Sequence, residues 1–316
     1  MKTNKFLVVS LLATMILGSC SNNEDPANVS DINEIKLNVG VGEKTRAVIN
    51  PDYEQDLPVA FARIEANATS WTGTELKAVR IGGSGRTPIA FETSQTYIEA
   101  TSTTLLGYYP RATRTVMSNQ NKVTIPYTIT GDEDIMATGV LSGSKNDPIE
   151  NGTFQHLLGQ LQFRCVGSEA AIAAWDGIAI KVKAVPNRLA VSLHKTLGAS
   201  LKLSNTPTAD LNVHCCPATL VSPDEQNPAT GYTMLCATPD LGTGAAPITL
   251  EVAGDHKGVL KTKTVAISNI QGGVQAATSH LITLIFTVEG EISASATADI
   301  APWNPGTNGS GVITPD

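Results

Sequence analysis

Charge is scarce in this chain. Of 316 residues only 16% are charged and 5% aromatic, and no run approaches 18 consecutive apolar positions. Without such a run no transmembrane helix is expected. Basic residues are too few, 22 Lys+Arg against 29 Asp+Glu, to offer nucleic acid the positive face it needs. Catalytic signatures are missing as well. Neither HExxH nor GxSxG occurs, and His156, His194, His214, His256 and His280 are isolated from one another. The glycine-rich run at 82–87 lacks the GxxxxGK[ST] spacing and precedes no helical pattern, so it reads as a hairpin loop. Asp132, Glu133 and Asp134 crowd one turn, which reads as a solvated turn in preference to a weak calcium site. No catalytic residue, metal or cofactor is expected, and the chain is not read as an enzyme.

What is present favours strands. Apolar residues reach 41%, and there are 36 Thr against 21 Ser. Ile35, Leu37, Val39 and Val41 share one face of an alternating segment, with Lys36 and Asn38 on the other. Similar segments fall at 59–65, 103–109, 123–129, 154–166, 178–185, 233–237, 248–253, 260–267 and 280–288. The last is apolar on both faces, as a central strand would be. Turn signals separate them, among them Gly131-Asp132 and Asn146-Asp147-Pro148. Only 169–175 reads as a helix, capped by Ser168 and ended by Asp176-Gly177. Many short strands around one helical turn predict an all-β sandwich class. The length suggests about two domains. The polar stretch 143–152 is the expected boundary between them.

The first residues read as an address. Lys2 and Lys5 precede an apolar stretch at 6–17, suited to a signal peptide and too short to span a bilayer. It ends in Leu17-Gly18-Ser19-Cys20, a lipobox-like pattern in which the Cys20 thiol takes the lipid. The polar run that follows reads as a tether. Export to a disulfide-permissive compartment leaves three readings open for Cys165, Cys215, Cys216 and Cys236. Buried free thiols are favoured. A disulfide from Cys165 or Cys236 to one of the adjacent pair is the alternative. A metal site with His214 lacks any CxxC support.

Several segments together resemble the fimbrillins of Bacteroidales, the subunits of type V pili. They are the lipobox, the Thr45-Arg46-Ala47 junction, Gly107-Tyr108-Tyr109-Pro110 and Asp134-Ile135-Met136-Ala137. Next comes Phe154-Gln-His156-Leu-Leu-Gly-Gln-Leu-Gln-Phe163, then His280 to Val288 and Ile300-Ala301-Pro302-Trp303. The resemblance implies two tandem transthyretin-like β-sandwich domains, at 47–147 and 148–316, after a signal peptide (1–19) and a tether with a removable strand (20–46). It also implies a lipoprotein carried to the outer membrane and the surface fimbrium. An arginine-specific protease would cut between Arg46 and Ala47. A C-terminal segment of another subunit would then replace Ile35, Leu37, Val39 and Val41. Two donor segments are open: Ile292, Ala294, Ala296, Ala298 and Ile300, or Val312 and Ile313. The expected partners are other fimbrial subunits, the membrane through the lipid, and a host or bacterial surface ligand. The alternatives to a shaft pilin are a tip adhesin or glycan binder, with Trp71, Tyr108 and Tyr109 as the aromatic candidates, and a lipid-retaining anchor subunit.

Overall fold

The computed structural model describes residues 33–42, 49–99, 101–113, 115–117, 122–226, 230–295 and 300–302. Cys20, Arg46, Ala47, Ala296, Ala298, Val312 and Ile313 lie outside them, as do the leader and most of the tether. The chain opens with β1 (Asn38–Val41), β2 (Leu57–Glu65), β3 (Leu76–Arg80), β4 (Thr87–Phe91) and β5 (Thr103–Tyr109). Then come β6 (Thr115–Met117), β7 (Lys122–Thr128), β8 (Met136–Thr138), β9 (Leu141–Gly143), β10 (Asn151–His156) and β11 (Leu158–Gly167). One helical turn, α1 (Glu169–Ile172), leads to β12 (Trp175–His194), β13 (Gly198–Asn212), β14 (Gly231–Cys236), β15 (Ile248–His256) and β16 (Val259–Ile267). The last strands are β17 (Thr278–Phe286), β18 (Ile292–Ser295) and β19 (Ile300–Pro302). The all-β expectation is met. Among the described residues no helix is long and apolar enough to cross a membrane.

Three sheets result. In the first, the order β2-β3-β4-β1-β10-β8-β5 returns on itself because β2 also pairs β5, and β9 joins β5. The second runs β14-β11-β17-β18 with β19 also on β17, and the third β16-β15-β12-β7-β6 with β13 on β12. Ile35, Leu37, Val39, Phe61, Leu105 and Phe154 fill the closed ring. A second core joins Leu161, Phe163, Val191 and Leu284 of the other sheets to Ala60 and Leu106 of the ring strands. β2 therefore buries both faces: Leu57, Val59 and Phe61 point into the ring, Ala60, Ala62 and Ile64 into the second core. The four consecutive apolar residues Val59 to Ala62 follow from that double burial.

Two segments cross the expected 147/148 division. β10 belongs to the ring, while β7 pairs β12 from Arg188↔Thr128 to His194↔Lys122. Within the polar 143–152 stretch a turn joins β9 to β10, with the Ser144 N–H donating to the Asp147 carbonyl at 2.8 Å. The strand expected at 154–166 breaks at Leu157, where the chain passes from ring to second sheet. There the Leu157 N–H donates to the Ile135 carbonyl at 2.8 Å. The helix is also shorter than expected. Ser168 caps it through the Ala171 N–H, but the run ends at Ile172 and Trp175 opens a strand. The Trp175 indole donates to the Thr287 carbonyl at 2.8 Å and its ring meets Phe286 edge-on at 5.1 Å. Burying that ring in the second core outweighs another helical turn.

Gly107, in β5, needs its missing side chain. A Cβ there would stand 2.7 Å from Phe61 and 3.1 Å from Phe154. Gly107→Ala is expected to destabilise the fold by about 1–3 kcal/mol through overpacking. A lower urea midpoint at unchanged slope is the readout.

Candidate functional site

β1 is the strand that closes the ring. It runs parallel to β10 from Asn38↔Asn151 to Val41↔Phe154, and antiparallel to β4 at Asn38↔Pro88 and Val39↔Thr87. The Asn38 N–H donates to the Glu150 carbonyl at 2.8 Å and the Gly42 N–H to that of Phe154 at 2.7 Å. On the other side the Ile89 N–H donates to the Leu37 carbonyl at 3.0 Å. Upstream, Ile35 donates to the Gln95 carbonyl and Tyr97 to that of Asn33, each at 2.7 Å. Ile35, Leu37, Val39 and Val41 are 2%, 3%, 0% and 5% exposed, whereas Lys36 and Asn38 face solvent. The alternation seen in the sequence is thus the division between ring interior and water.

Beneath this strand lies an arginine that sequence inspection passes over. Arg80 ends β3 fully buried, and its Nε donates to the Val39 carbonyl at 3.0 Å. Its Nη2 donates to Gly85 at 2.8 Å and Gly83 at 3.1 Å, and its Nη1 to Ile81 at 3.4 Å, all through carbonyls. The glycine run at 82–87, expected as a hairpin loop, does join antiparallel β3 and β4. Its left-handed Gly85 (φ 72°) and Gly83 (φ 134°) turn carbonyls towards the guanidinium. Burial pushes the Arg80 pKa below its ordinary value, and carbonyl dipoles surround the charge. In sequence Arg80 merely ends an alternating stretch, like any surface cation.

Comparison with known proteins finds no matching family model and no match among curated proteins. Solved structures do match. A "putative cell adhesion protein" from Bacteroides uniformis ATCC 8492 has a TM-score of 0.57 at 15% identity, covering 86% of this chain and 98% of that one. A protein of the same name from Bacteroides ovatus ATCC 8483 has a TM-score of 0.53 at 15% identity, with the same coverages of 86% and 98%. This chain shares their fold. Both neighbours come from Bacteroides, within the group whose fimbrillins the sequence resembles.

Within the shared fold, three of the segments that carry the resemblance converge. Tyr108 pairs Ala137, Tyr109 pairs Met136, and Met136 in turn pairs His156. His156 Nδ1 lies 2.9 Å from Asp134 Oδ2, with both side chains 1% exposed. Asp134 is therefore no part of a solvated turn. Its neighbours do shape that turn: Glu133 accepts from the Thr130 and Gly131 N–H groups at 2.7 and 2.9 Å. Asp132 accepts from the Thr130 hydroxyl at 2.8 Å, a bond that holds its carboxyl below the usual range.

The remaining candidates separate. Ile292 and Ala294 sit on β18 opposite Phe286 and Leu284, and Ile300 on β19 opposite His280, so this tail segment pairs with β17 of its own chain. The four described cysteines are free. Cys165 and Cys236 are buried and Cys216 half-buried, but Cys215 is exposed in a left-handed turn, against the expectation of a buried thiol. Burial pushes Cys216 and Cys236 up to about 11, and Cys165 further in the same direction. Trp71 and Tyr108 are buried in the second core and offer no face to a sugar, and Tyr109 is half-buried.

Proposed function

We propose that this chain is a structural subunit of a type V fimbria. It is exported as a lipoprotein through Cys20, reaches the outer membrane, and polymerises by strand exchange after cleavage between Arg46 and Ala47. The observation that carries this reading is the seam position of β1. One short segment, 35–41, separated from Arg46 by four residues, supplies four interior side chains and lies between two other strands of a closed ring. Its departure exposes an apolar groove between the β4 and β10 edges, which an extended segment satisfies with main-chain bonds. Drawn at 47–147 and 148–316 apart from the crossing strands β6, β7 and β10, the two domains are then parts of one filament subunit, and catalysis has no part in the role. The names of the Bacteroides neighbours agree with a surface function.

Before cleavage β1 occupies its groove in cis at high effective concentration, so incoming donors lose. Arginine-specific proteolysis of the folded precursor is expected to yield a new N-terminus at Ala47 and oligomers on gel filtration. An Arg46→Ala precursor treated alike stays monomeric. Filaments from that variant, or cleavage without oligomers when donor is supplied, overturn the reading.

A further inference from the structure

We infer that Arg63 builds a second wall for the strand that closes the ring, and so lengthens the site an incoming strand must fill. The inference rests on the strand-exchange reading. It adds how long a segment the groove takes and which residue prepares its upstream end. β1 itself spans only Asn38–Val41, yet Ile35 and Leu37, ahead of it, are buried as Val39 and Val41 are. β4 reaches no further than the bond from the Ile89 N–H to the Leu37 carbonyl. Beyond that point its place beside the strand is taken by 95–97, which belongs to no named strand. Glu34 bridges Thr96 there, the Ile35 N–H donates to the Gln95 carbonyl, and the Tyr97 N–H donates to the Asn33 carbonyl.

Two side chains tie 95–97 to the rest of the ring. Arg63, buried near the end of β2, donates from Nε to Glu65 Oε1 at 2.6 Å, from Nη1 to Gln95 Oε1 at 3.1 Å and from Nη2 to the Thr96 carbonyl at 2.8 Å. Glu65 in turn accepts from the Thr103 hydroxyl of β5 at 2.7 Å. On the other side the buried Tyr97 hydroxyl accepts from the Ile149 N–H, just ahead of β10, at 2.6 Å. None of these partners lies in 33–42, so the wall stands when the strand leaves. An irregular segment has no ladder of its own to aim its main chain. The planar guanidinium supplies the aim, holding the side chain of one residue and the main chain of the next while a carboxylate fixes the cation. The Gln95 carbonyl and Tyr97 N–H are thus in position before a strand arrives, and binding need not order them. The fitting partner is an extended segment that begins two residues ahead of its first inward apolar side chain. At that side chain, the place of Ile35, it needs an N–H and so cannot carry proline. A shorter segment leaves two main-chain groups of the wall without their partners.

Peptide length tests this. The full chain is nicked in the 43–48 segment, at Arg46 or at an engineered protease site placed there. Labelled peptides spanning 33–42 and 36–42 then compete separately with the resident strand, and the ratio of their affinities is read. In the native chain the longer peptide is expected to win. In an Arg63→Lys chain, whose ammonium can keep Glu65 but cannot fork to Gln95 and Thr96, the ratio is expected to fall about tenfold. If that variant does not fold, Gln95→Ala, which removes one prong alone, should lower the ratio about threefold. A merely structural role for Arg63 weakens both peptides alike; an unchanged ratio overturns the wall and leaves strand exchange standing. Amide exchange in the uncut chain is the second readout, and it decides alone if 36–42 binds too weakly to measure. Arg63→Lys should speed exchange at Ile35 and Tyr97 about tenfold while Asn38 and Gly42 keep their protection. Uniform acceleration, or none, overturns the wall. Failure of the 33–42 peptide to enter the nicked native chain overturns strand exchange, and the amide readout then judges the wall by itself.

Discussion

A chain that begins at Ala47, with β1 absent, is expected to lose about 6–12 kcal/mol of stability. Four aliphatic side chains, each fully removed from water in the ring, contribute roughly 1.5–3 kcal/mol apiece. That loss is comparable with the whole stability of a typical domain, about 5–15 kcal/mol, so the ring should open at room temperature. Single substitutions should divide the effect by face. Leu37→Ala is expected to cost about 2–5 kcal/mol, whereas Lys36→Ala, on the wet face with a 3.2 Å ion pair to Glu34, should change stability by less than about 0.5 kcal/mol. Adding a peptide spanning 33–42 should restore the transition, the gain rising with the logarithm of its concentration. At one hundred times its dissociation constant the gain is about 2.7 kcal/mol. Equal thermal midpoints for the intact and shortened chains would show that β1 is a passive addition to a ring that stands without it.

Much of this arrangement is legible in the sequence because it rests on a local rule. Ile35, Leu37, Val39 and Val41 alternate with polar residues, and alternation is what one wet face and one dry face require. The strand at 103–109 was expected with the bounds it has, since its apolar run ends in Tyr-Pro. Elements that bury little of their own area are harder to read. Among the described residues β13 pairs only β12, and its polar sequence shows little alternation. β4 carries Pro88, and proline within a run argues against a paired strand. Partnerships at long range leave no local trace at all. Nothing around Asp134 tells that its carboxylate meets His156 across 22 residues. Likewise nothing around Arg80 tells that it reaches Val39 across 41. The break at Leu157 is hidden for a related reason. Both sides of it are apolar and alternating, and only the destination sheets differ.

The second large effect is expected at His156 and Asp134. Each side chain is 1% exposed and their nearest approach is 2.9 Å, so removing one strands the polar atoms of the other in the interior. His156→Leu should destabilise the chain by about 3–5 kcal/mol, the cost typical of a broken buried pair. Replacing both, Asp134→Leu with His156→Leu, should recover most of that loss, because two apolar groups leave nothing unsatisfied. A double variant as unstable as the single one would mean that packing, not polarity, holds the site. The pair also bears on β1. With β1 in place, β10 is paired on both sides; with β1 gone, β8 is its one remaining strand partner among the described residues, through Phe154↔Thr138, Gln155↔Ala137 and His156↔Met136. At that stage the Asp134–His156 contact is the side-chain tie between β10 and the turn that leads into β8. The shortened chain carrying His156→Leu should therefore resist rescue by the 33–42 peptide at concentrations that restore the native sequence. The groove needs β10 in position before a strand can bind, and a fraction of molecules with β10 displaced weakens the apparent affinity by that fraction. Full rescue of the His156→Leu chain at the same peptide concentration would show that β8 pairing alone keeps the groove formed.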